Sequence, residues 1–261
     1  MLKLKPSARS RTIGFPVPRP SDRLTIKSTQ FDGKGMSLTI EKRPNVLRGQ
    51  WQGKVPAAKT VFYRVILELR EKQYTVPSFL PPEPADPRMR EYLAPPELSP
   101  QEAVALKSVE DDIIPDNISR VKAVKAIYYF LHEEVLYNDL RSWRNLQEIL
   151  EHMEADSRGK ARLFTALCRR QGIPARTVGG IVLRPERRAD EKGRHNLFYW
   201  NEVRLDGKWI PLCTTYGVFA AITDEYLPLF WNADSANEII NDEGAALRVT
   251  ANRVESTEFS I

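Results

Sequence analysis

Hydrophobic and polar residues alternate with a period of two in three stretches near the start of the chain. The stretches are residues 23–29, 36–41 and 59–70, and turn-forming Gly, Asn and Pro residues separate them. Alternation of this kind is typical of antiparallel strands. It predicts a strand-rich, β-sandwich-like domain over residues 1–75. Asp32-Gly33 predicts a hairpin turn between the first two strands.

A proline-rich segment, residues 76–100, follows these strands. Its prolines are Pro77, Pro81, Pro82, Pro84, Pro87, Pro95, Pro96 and Pro100. Proline fixes the backbone angle φ and has no N–H to donate, so dense prolines interrupt both helices and central strands. The segment is therefore predicted to be a semi-rigid linker without a helix or a central strand.

Beyond the linker, the period of the apolar residues becomes that of a helix. Helices are predicted over residues 102–112, 119–136, 145–153 and 158–170. Ser119 is the predicted cap of the second helix. The fourth helix is the best defined, because it carries a continuous apolar stripe of Ala161, Phe164, Leu167 and Cys168. It is predicted to stop at Gly172, with a proline just beyond.

The rest of the chain returns to the pattern of strands. They are predicted over residues 175–183, 196–205, 208–212 and 247–254, and Asp206-Gly207 is a strong hairpin signal. Helices followed by a meander of strands indicate an α+β domain, in which one helix packs against an antiparallel sheet. This second domain is predicted to span residues 101–261.

Composition and charge are those of a soluble globular protein, with 42% hydrophobic and 28% charged residues. No apolar run reaches the roughly 18 residues of a membrane-spanning helix, and no apolar core follows the basic start. The net charge of +5 is mild, and the basic residues 184–194 lack interleaved aromatics, so nucleic-acid binding is not expected. Cys168 and Cys213 form no metal-binding or disulfide pattern, and no cofactor is expected.

Two blocks of sequence carry a specific motif. Residues 155–176 begin with Ala-Asp-Ser and end with Gly-Ile-Pro-Ala-Arg. Residues 198–213 read Phe-Tyr-Trp-Asn-Glu-Val and, two residues later, Asp-Gly-Lys-Trp-Ile-Pro-Leu-Cys. The blocks resemble the transglutaminase-like superfamily, where a cysteine opens a helix ending in Gly-Ile-Pro-Ala-Arg, followed by His-x-Trp-x-Glu-Val and Trp-x-x-x-Asp. The resemblance covers about residues 140–217 and implies a transglutaminase-like, papain-like fold.

The resemblance places the catalytic triad on residues that lack the required chemistry. In the family, a helix dipole and a histidine favour the cysteine thiolate, and an aspartate orients the histidine. The matching positions are Ser157, Phe198 and Cys213. A serine hydroxyl needs a base, phenylalanine has no titratable atom, and a neutral thiol orients no base. Loss of such a triad typically removes on the order of a millionfold in rate. The resemblance therefore implies an inactive branch, a pseudoenzyme.

Other catalytic and binding arrangements remain open. His195 lies three residues before Phe198, and a loop that carries it to Ser157 would give an active amidohydrolase, protease or acyltransferase. Cys213 as a relocated nucleophile would lack a neighbouring base. His132 is expected on the solvent side of its helix, and His152 precedes Ser157 by five residues. A third reading makes the domain a docking platform whose loop at residues 184–194 contacts another protein.

Several of the same residues have simple structural interpretations. Asp156 or Ser157 is predicted to cap the helix that follows, by accepting from its free N–H groups. Cys168 is predicted to be a small core residue. By the resemblance, Arg176 and Glu202 belong to the family's framework, and structural pairing is expected for both.

The retained scaffold suggests a binding site without catalysis. Phe198 and Trp200 share one face of a strand, and their rings are expected to fill the former active-site cleft. A peptide or a partner protein would contact this region. The predicted contact residues are Ser157, Phe198, Trp200, Cys213 and Tyr216.

A narrower resemblance concerns location and partners. The disabled triad, the upstream strands and the proline-rich connection are similar to those of bacterial proteins in which an inactive transglutaminase-like domain is fused to seven transmembrane helices. This resemblance implies a periplasmic domain of an inner-membrane protein, with a sensing or signalling role. It also implies an ATP-grasp ligase-like protein or a retropepsin-like protease as associated partners. The membrane segments themselves are not in the present sequence.

Overall fold

The computed structural model describes residues 2–4, 11–18, 20–32, 37–41, 46–51, 59–80, 86–140, 145–183, 197–231 and 246–247. The strands before residue 75 are β1 (Leu2–Leu4), β2 (Arg11–Pro16), β3 (Leu24–Asp32), β4 (Ser37–Glu41), β5 (Val46–Trp51), β6 (Lys59–Leu69) and β7 (Lys72–Gln73). The predicted strands at 23–29, 36–41 and 59–70 are confirmed as β3, β4 and β6.

All of these strands except β7 belong to two antiparallel sheets. One has the order β2-β5-β4. The other includes a strand from the end of the chain, β16 (Ala246–Leu247), in the order β16-β1-β6-β3. The strand predicted at residues 247–254 is therefore seen only in part, since residues 248–254 lie outside the described ranges, and its partner belongs to the N-terminal strands.

The hairpin predicted at Asp32-Gly33 is wrong. β3 pairs along its length with β6, with Leu24 opposite Leu69 and Asp32 opposite Phe62, whereas β4 pairs with β5. A two-residue turn signal is purely local. The nine residues of β3 find in β6 a partner of matching length, and that long pairing fixes the register. Residues 33–36 lie outside the described ranges.

A buried arginine connects the N-terminal strands to the second half of the chain. Arg23 is 7% exposed. Its guanidinium donates to the carbonyl oxygens of Arg70 at 3.1 Å, Thr223 at 2.8 Å and Tyr226 at 3.1 Å. In addition, β7 pairs with a short strand, β14 (Ala221–Ile222). The domain boundaries suggested by the sequence stay a prediction, but these bonds cross them.

The proline-rich segment contains a short helical stretch that the sequence did not predict. A 3-10 turn, Pro87–Met89, leads into α1 (Arg90–Leu93). Pro87 occupies the first position of the turn, where a missing N–H costs nothing and a fixed φ favours the helical backbone. Asp86 caps the turn by accepting from the Arg88 N–H at 2.9 Å. Proline density therefore misled the prediction, because its effect depends on position.

Four longer helices follow, close to the predicted ranges. They are α2 (Pro100–Ile113), α3 (Arg120–Tyr129), α4 (Leu146–His152) and α5 (Ser157–Arg170). Side chains of the preceding residues cap all four: Ser99, Ser119, Asn145 and Asp156. After α3, residues Phe130–Glu134 widen into a π-helix, so the single helix predicted over 119–136 changes its winding. α5 ends before Gly172, whose positive φ of 65° matches the predicted stop.

Five strands in the second half of the chain form an antiparallel sheet, and α5 covers it. The strands are β10 (Ala175–Val182), β11 (Phe198–Leu205), β12 (Lys208–Cys213), β13 (Val218–Phe219) and β15 (Tyr226–Trp231), in the order β13-β12-β11-β10-β15. β11 and β12 are joined by the predicted Asp206-Gly207 hairpin. α5 packs on β10 and β11. The predicted α+β class, with a helix on an antiparallel sheet, is confirmed.

Polar bonds fix the register of α5 on the sheet within an apolar core. Asn201 on β11 donates to the Ala161 carbonyl at 2.8 Å and to Thr165 Oγ1 at 3.0 Å. Thr165 also bonds Thr177 on β10 at 3.0 Å. Leu163, Phe164 and Leu167 surround these bonds and are fully buried. Because a buried amide tolerates few alternative partners, the bonds set both the rotation and the translation of the helix.

Strands β13, β14 and β15 were not predicted. Two-residue strands are too short to show a period, and β15 carries Pro228 within a continuous apolar run. β15 lies at the edge of its sheet, where a residue without an N–H is tolerated. Gly180 permits this strand to approach, because a Cβ there would lie 2.1 Å from the Leu227 carbonyl oxygen.

Glu102 ties the first turns of α2 and α4 together, and it provides a test of the helical packing. One carboxylate oxygen accepts from the Ser99 N–H at 2.9 Å, and the other accepts from the Leu146 N–H at 2.9 Å. Burial opposes ionisation of Glu102, but the backbone N–H groups of Leu146 and Ser99 outweigh it, so the pKa of Glu102 lies below its ordinary value.

We predict that Glu102→Gln lowers the free energy of unfolding at pH 7 by about 1–3 kcal/mol, because N–H donors then face an amide NH₂. A folded-state pKa below the unfolded value stabilises at higher pH and loses that effect as the pH falls through the folded-state pKa. The deficit of the variant should therefore shrink as the pH falls below the ordinary glutamate pKa of about 4.3.

Urea denaturation between pH 7 and pH 3, followed by tryptophan fluorescence, measures this difference. Glu97→Gln, at an exposed position nearby, is the matched control and should leave the unfolding midpoint unchanged. A deficit for Glu102→Gln that does not vary with pH would show that the carboxylate charge plays no part.

Candidate functional site

The three residues that match the family's triad meet where α5 reaches the sheet. Ser157 is the first residue of α5, Phe198 the first of β11 and Cys213 the last of β12. The Tyr199 N–H, next to Phe198, donates to Ser157 Oγ at 3.3 Å. Phe198 and Cys213 belong to one buried apolar cluster, together with Trp200. The structure thus brings the predicted site residues together.

This region is filled with side chains. The exposed fraction is 7% for Ser157, 0% for Phe198 and 2% for Cys213. The Phe198 ring stacks on Tyr216 with centroids 5.1 Å apart and meets Tyr137 edge-on at 6.4 Å. Aromatic pairs at these separations are attractive beyond their buried area. The resemblance expects a histidine base at position 198. The side chain there is a phenylalanine ring that packs against other aromatic rings.

At the start of α5, the residue that caps the helix differs from the residue that matches the family's nucleophile. Asp156 Oδ1 accepts from the Gly159 N–H at 2.7 Å, so Asp156 is the N-cap, one of the two predicted candidates. Ser157 then stands in the first turn of α5 with its hydroxyl oxygen accepting from the sheet. Among the residues that the structure describes, this backbone N–H is the hydrogen-bond partner of the Ser157 hydroxyl.

Two of the three histidines, His132 and His152, lie in the described part of the chain. His132 is exposed, as predicted, and its Nδ1–H donates to the Thr214 carbonyl at 2.9 Å while its ring stacks on Tyr128. His152 is exposed in the last turn of α4. His195 and the basic residues 184–194 lie outside the described ranges. The alternative Ser157–His195 site and the docking loop therefore stay predictions.

Cys213 carries a neutral thiol. Burial raises the pKa of the Cys213 thiol above its ordinary value, although several neighbours oppose this effect. These neighbours are the Tyr226 hydroxyl, which faces the thiol, the backbone N–H groups of Tyr216 and Thr215, and the positive charge of Lys160. The surroundings could thus favour an anion, but a thiol this deeply buried stays protonated at neutral pH.

Lys160 is a buried charge that the sequence analysis missed. It is 2% exposed, and its Nζ donates to the Val135 carbonyl at 2.7 Å. Burial lowers the pKa of Lys160 to about 8, with Cys213 acting in the opposite direction. Its spacing of three residues from Ser157 and four from Phe164 places it on the apolar face of α5, so the helical period was the signal available for finding it.

Arg176 and Glu202 form the predicted structural pair. They stand opposite each other on β10 and β11, and Arg176 Nε donates to Glu202 Oε2 at 2.7 Å. Aromatic rings surround the Arg176 guanidinium. Its central carbon lies 4.0 Å from the centroid of the Trp209 ring and 5.7 Å from the centroid of the Tyr92 ring in α1. The pair therefore also anchors the end of the proline-rich segment, since the Tyr92 and Trp209 rings are 4.9 Å apart.

Both cysteines are free and buried, and Cys168 is fully enclosed in the core, as predicted. No group of three or more His, Cys, Asp and Glu side chains in the described part of the chain is arranged to hold a metal ion. None of the helices that the structure describes is both long and apolar enough to cross a membrane.

The buried Lys160 charge gives a test of this environment. A folded-state pKa below the unfolded value means that the unfolded chain binds more protons between about pH 8 and pH 10, so stability rises with pH in that window. We predict that Lys160→Met removes this rise. The free energy of unfolding of the wild type should gain up to about 3 kcal/mol relative to the variant from pH 7 to pH 10.

Chemical denaturation of both proteins at several pH values measures this difference. Lys122→Met removes an exposed lysine from α3 and should leave the pH dependence as in the wild type. If wild type and Lys160→Met show the same slope, Lys160 is not titrating in the folded protein.

Comparisons with known proteins concern the family and the fold. Residues 107–213 match the family described as transglutaminase-like superfamily, a wider span than the resemblance in the sequence indicated. No curated protein matches the chain.

The chain is also similar to solved structures. A protein from Cytophaga hutchinsonii, described as a "putative cysteine protease", is 16% identical with a TM-score of 0.67, over 94% of this chain and 82% of that one. The periplasmic domain of TgpA from Pseudomonas aeruginosa is also 16% identical, with a TM-score of 0.41 over 82% of this chain and 68% of that one. The family match and the fold of the first structure support the predicted transglutaminase-like, papain-like fold.

Proposed function

We propose that the transglutaminase-like domain binds a peptide or a partner protein without catalysing a reaction, and that it acts as a sensing module. One observation carries the proposal. The positions that match the nucleophile, the base and the orienting carboxylate hold Ser157, Phe198 and Cys213, and all three side chains are buried.

The chemistry of these side chains supports the absence of catalysis. A nucleophilic hydroxyl needs a base within hydrogen-bond reach, and the Ser157 oxygen accepts from a backbone N–H of the sheet. The Phe198 ring can neither accept nor donate a proton. The Cys213 thiol is neutral, so it has no negative charge with which to orient a base. Removing all three functions of a triad costs on the order of a millionfold in rate.

Exposed apolar residues beside the former cleft support a binding role. The strand β8 (Leu136–Tyr137) pairs with β9 (Glu154–Ala155), which leads directly into Ser157. In this segment Leu136 is 67% exposed and Leu140 is 89% exposed. In the proposal, Ser157, Phe198, Trp200 and Cys213 form the buried floor of the site, whereas Tyr216 and the exposed leucines contact the partner.

Location and partners are part of the same proposal. By resemblance to the bacterial proteins with seven transmembrane helices, the domain would be the periplasmic part of an inner-membrane protein. An ATP-grasp ligase-like protein or a retropepsin-like protease would act with it. Protease treatment of spheroplasts that express the natural protein tests the location, because a domain that stays protected until the membrane is disrupted is not periplasmic.

Catalysis is tested with the full chain. We predict no turnover that depends on Ser157 when the protein is incubated with a glutamine-containing peptide and an amine, or with a peptide amide alone. Wild type and Ser157→Ala should give the same background, measured as released ammonia. Turnover that is lost in both Ser157→Ala and His195→Ala would replace this proposal by the alternative of an active amidohydrolase, protease or acyltransferase.

Binding is tested with peptides selected from a displayed random library. We predict that Leu136→Glu and Leu140→Glu weaken binding of the selected peptides by roughly tenfold or more, because a charge replaces apolar contact. Val104→Glu on α2 is the control, since Val104 is 71% exposed and lies on another element. Fluorescence polarisation measures the affinities. Selection of no peptide, or equal weakening by the control, would contradict a binding surface here.

A further inference from the structure

A cavity lies between α5, the first turns of α2 and α4, and the end of the proline-rich segment. Its volume is about 430 Å³, which is within the range of small-molecule sites. The lining includes Arg158, Arg162 and Arg169 of α5, together with Leu98, Leu146 and Ala166. None of the predicted contact residues of the former cleft lines this cavity, so it is a separate site.

One arginine of the cavity, Arg158, has a buried donor without an acceptor. Its Nε–H is completely buried and meets no hydrogen-bond acceptor. The guanidinium carbon lies 5.6 Å from the centre of the Tyr199 ring, and no carboxylate in the described part of the chain forms an ion pair with Arg158. A buried donor without an acceptor is destabilising, so proteins rarely keep one without a reason. The geometry favours a bound group that supplies the acceptor.

Two further arginines of α5 add positive charge to the cavity. Arg169 donates to the carbonyls of Ala175 at 2.9 Å and Ala94 at 3.2 Å. Arg162 stands one helical turn from Arg158 on the same side of α5. The carboxylate of Glu102, which also lines the cavity, already accepts from backbone N–H groups on both oxygens.

The lining also limits the kind of anion that fits. Leu98, Leu146 and Ala166 present apolar surface beside the arginines, which suits a ligand with an apolar body. Two carboxylates, Glu97 and Glu102, line the same space and would repel a doubly charged phosphate more than a singly charged group. A planar guanidinium matches a carboxylate in shape, because two parallel N–H donors meet its two oxygens.

We propose that this cavity binds a monocarboxylate with an apolar body, and that the Arg158 guanidinium holds the carboxylate. The ligand is either a small organic acid or the C-terminus of a peptide, since both present the same chemistry. The site is independent of the proposed function of the former cleft, and each can fail without the other.

Titration of the full chain by NMR tests the proposal directly. The protein is labelled with ¹⁵N-arginine, and the buried Arg158 Nε–H signal is followed with sodium hexanoate, hexanamide and inorganic phosphate. We expect saturable shifts with hexanoate, at least roughly tenfold weaker binding of phosphate, and no saturation with hexanamide. Equal binding of hexanoate and hexanamide, or of hexanoate and phosphate, would overturn the carboxylate assignment. Failure of hexanoate to saturate would overturn the site.

Variants locate the binding. In these variants the ¹⁵N-arginine signals of Arg162 and Arg169, which also line the cavity, report binding. Arg158→Gln should weaken hexanoate binding by roughly tenfold to a hundredfold, and Arg158→Lys should recover only part of it, because lysine lacks the planar fork. Arg90→Gln removes an exposed positive charge from α1 and should change nothing. Hexanoate affinity that is unchanged in both Arg158 variants contradicts the assignment. If the glutamine variant fails to fold, the lysine variant and the wild-type titration still decide.

A last comparison identifies the source of the carboxylate. A short apolar peptide with a free C-terminus is titrated against the same peptide with a C-terminal amide. Binding of the free acid alone, at least as tight as hexanoate, assigns the cavity to peptide ends. If only hexanoate binds, the cavity takes small organic acids. Equal binding of the acid and the amide would contradict recognition of a carboxylate.

Discussion

The position of α5 on the antiparallel pair β10–β11 determines where every other part of the site lies. Asn201 binds the Ala161 carbonyl and Thr165 from the sheet, so α5 can neither rotate nor slide without breaking buried hydrogen bonds. The start of the helix is thereby held against the first residue of β11. The start of α5 and the start of β11 would remain adjacent even if other residues replaced Ser157 and Phe198.

In this arrangement the fold does not depend on the side chains that the resemblance matches to the triad. The features that build the scaffold act through packing and backbone geometry: the cap Asp156, the stop at Gly172, and the pair Arg176–Glu202. None of them depends on the identity of the residue at position 157. Apolar surface fills the space before the helix, where the Phe198 ring stacks on Tyr216.

The sequence predicted best where local signals and burial agree. The cap Asp156, the apolar stripe and the stop at Gly172 together define α5 from its start to its end. Asp206-Gly207 joins β11 and β12, two strands that pair with each other. It failed where the outcome depends on distant partners. β3 pairs with β6 rather than with its neighbour β4, and the two-residue strands exist only because of the strands beside them. Pro87 shows that even a strong local rule depends on the exact position within a turn.

For the candidate site, the sequence predicted which residues lie close together, but it did not predict the buried lysine beside them. The two motif blocks located Ser157, Phe198 and Cys213, and the structure places them together. The charge of Lys160 beneath them escaped notice because a single lysine in a helix usually faces solvent. Its burial follows from the packing of α5, which no short motif describes.

The bonds of Arg23 have a consequence for how the chain unfolds. A desolvated guanidinium that serves three backbone carbonyls cannot be released in part, since each broken bond would leave a charge or a carbonyl stranded away from water. The N-terminal strands and the loop before β15 are therefore expected to separate only when both lose their structure. The two halves of the chain, distinct in sequence character, would then melt in a single cooperative transition.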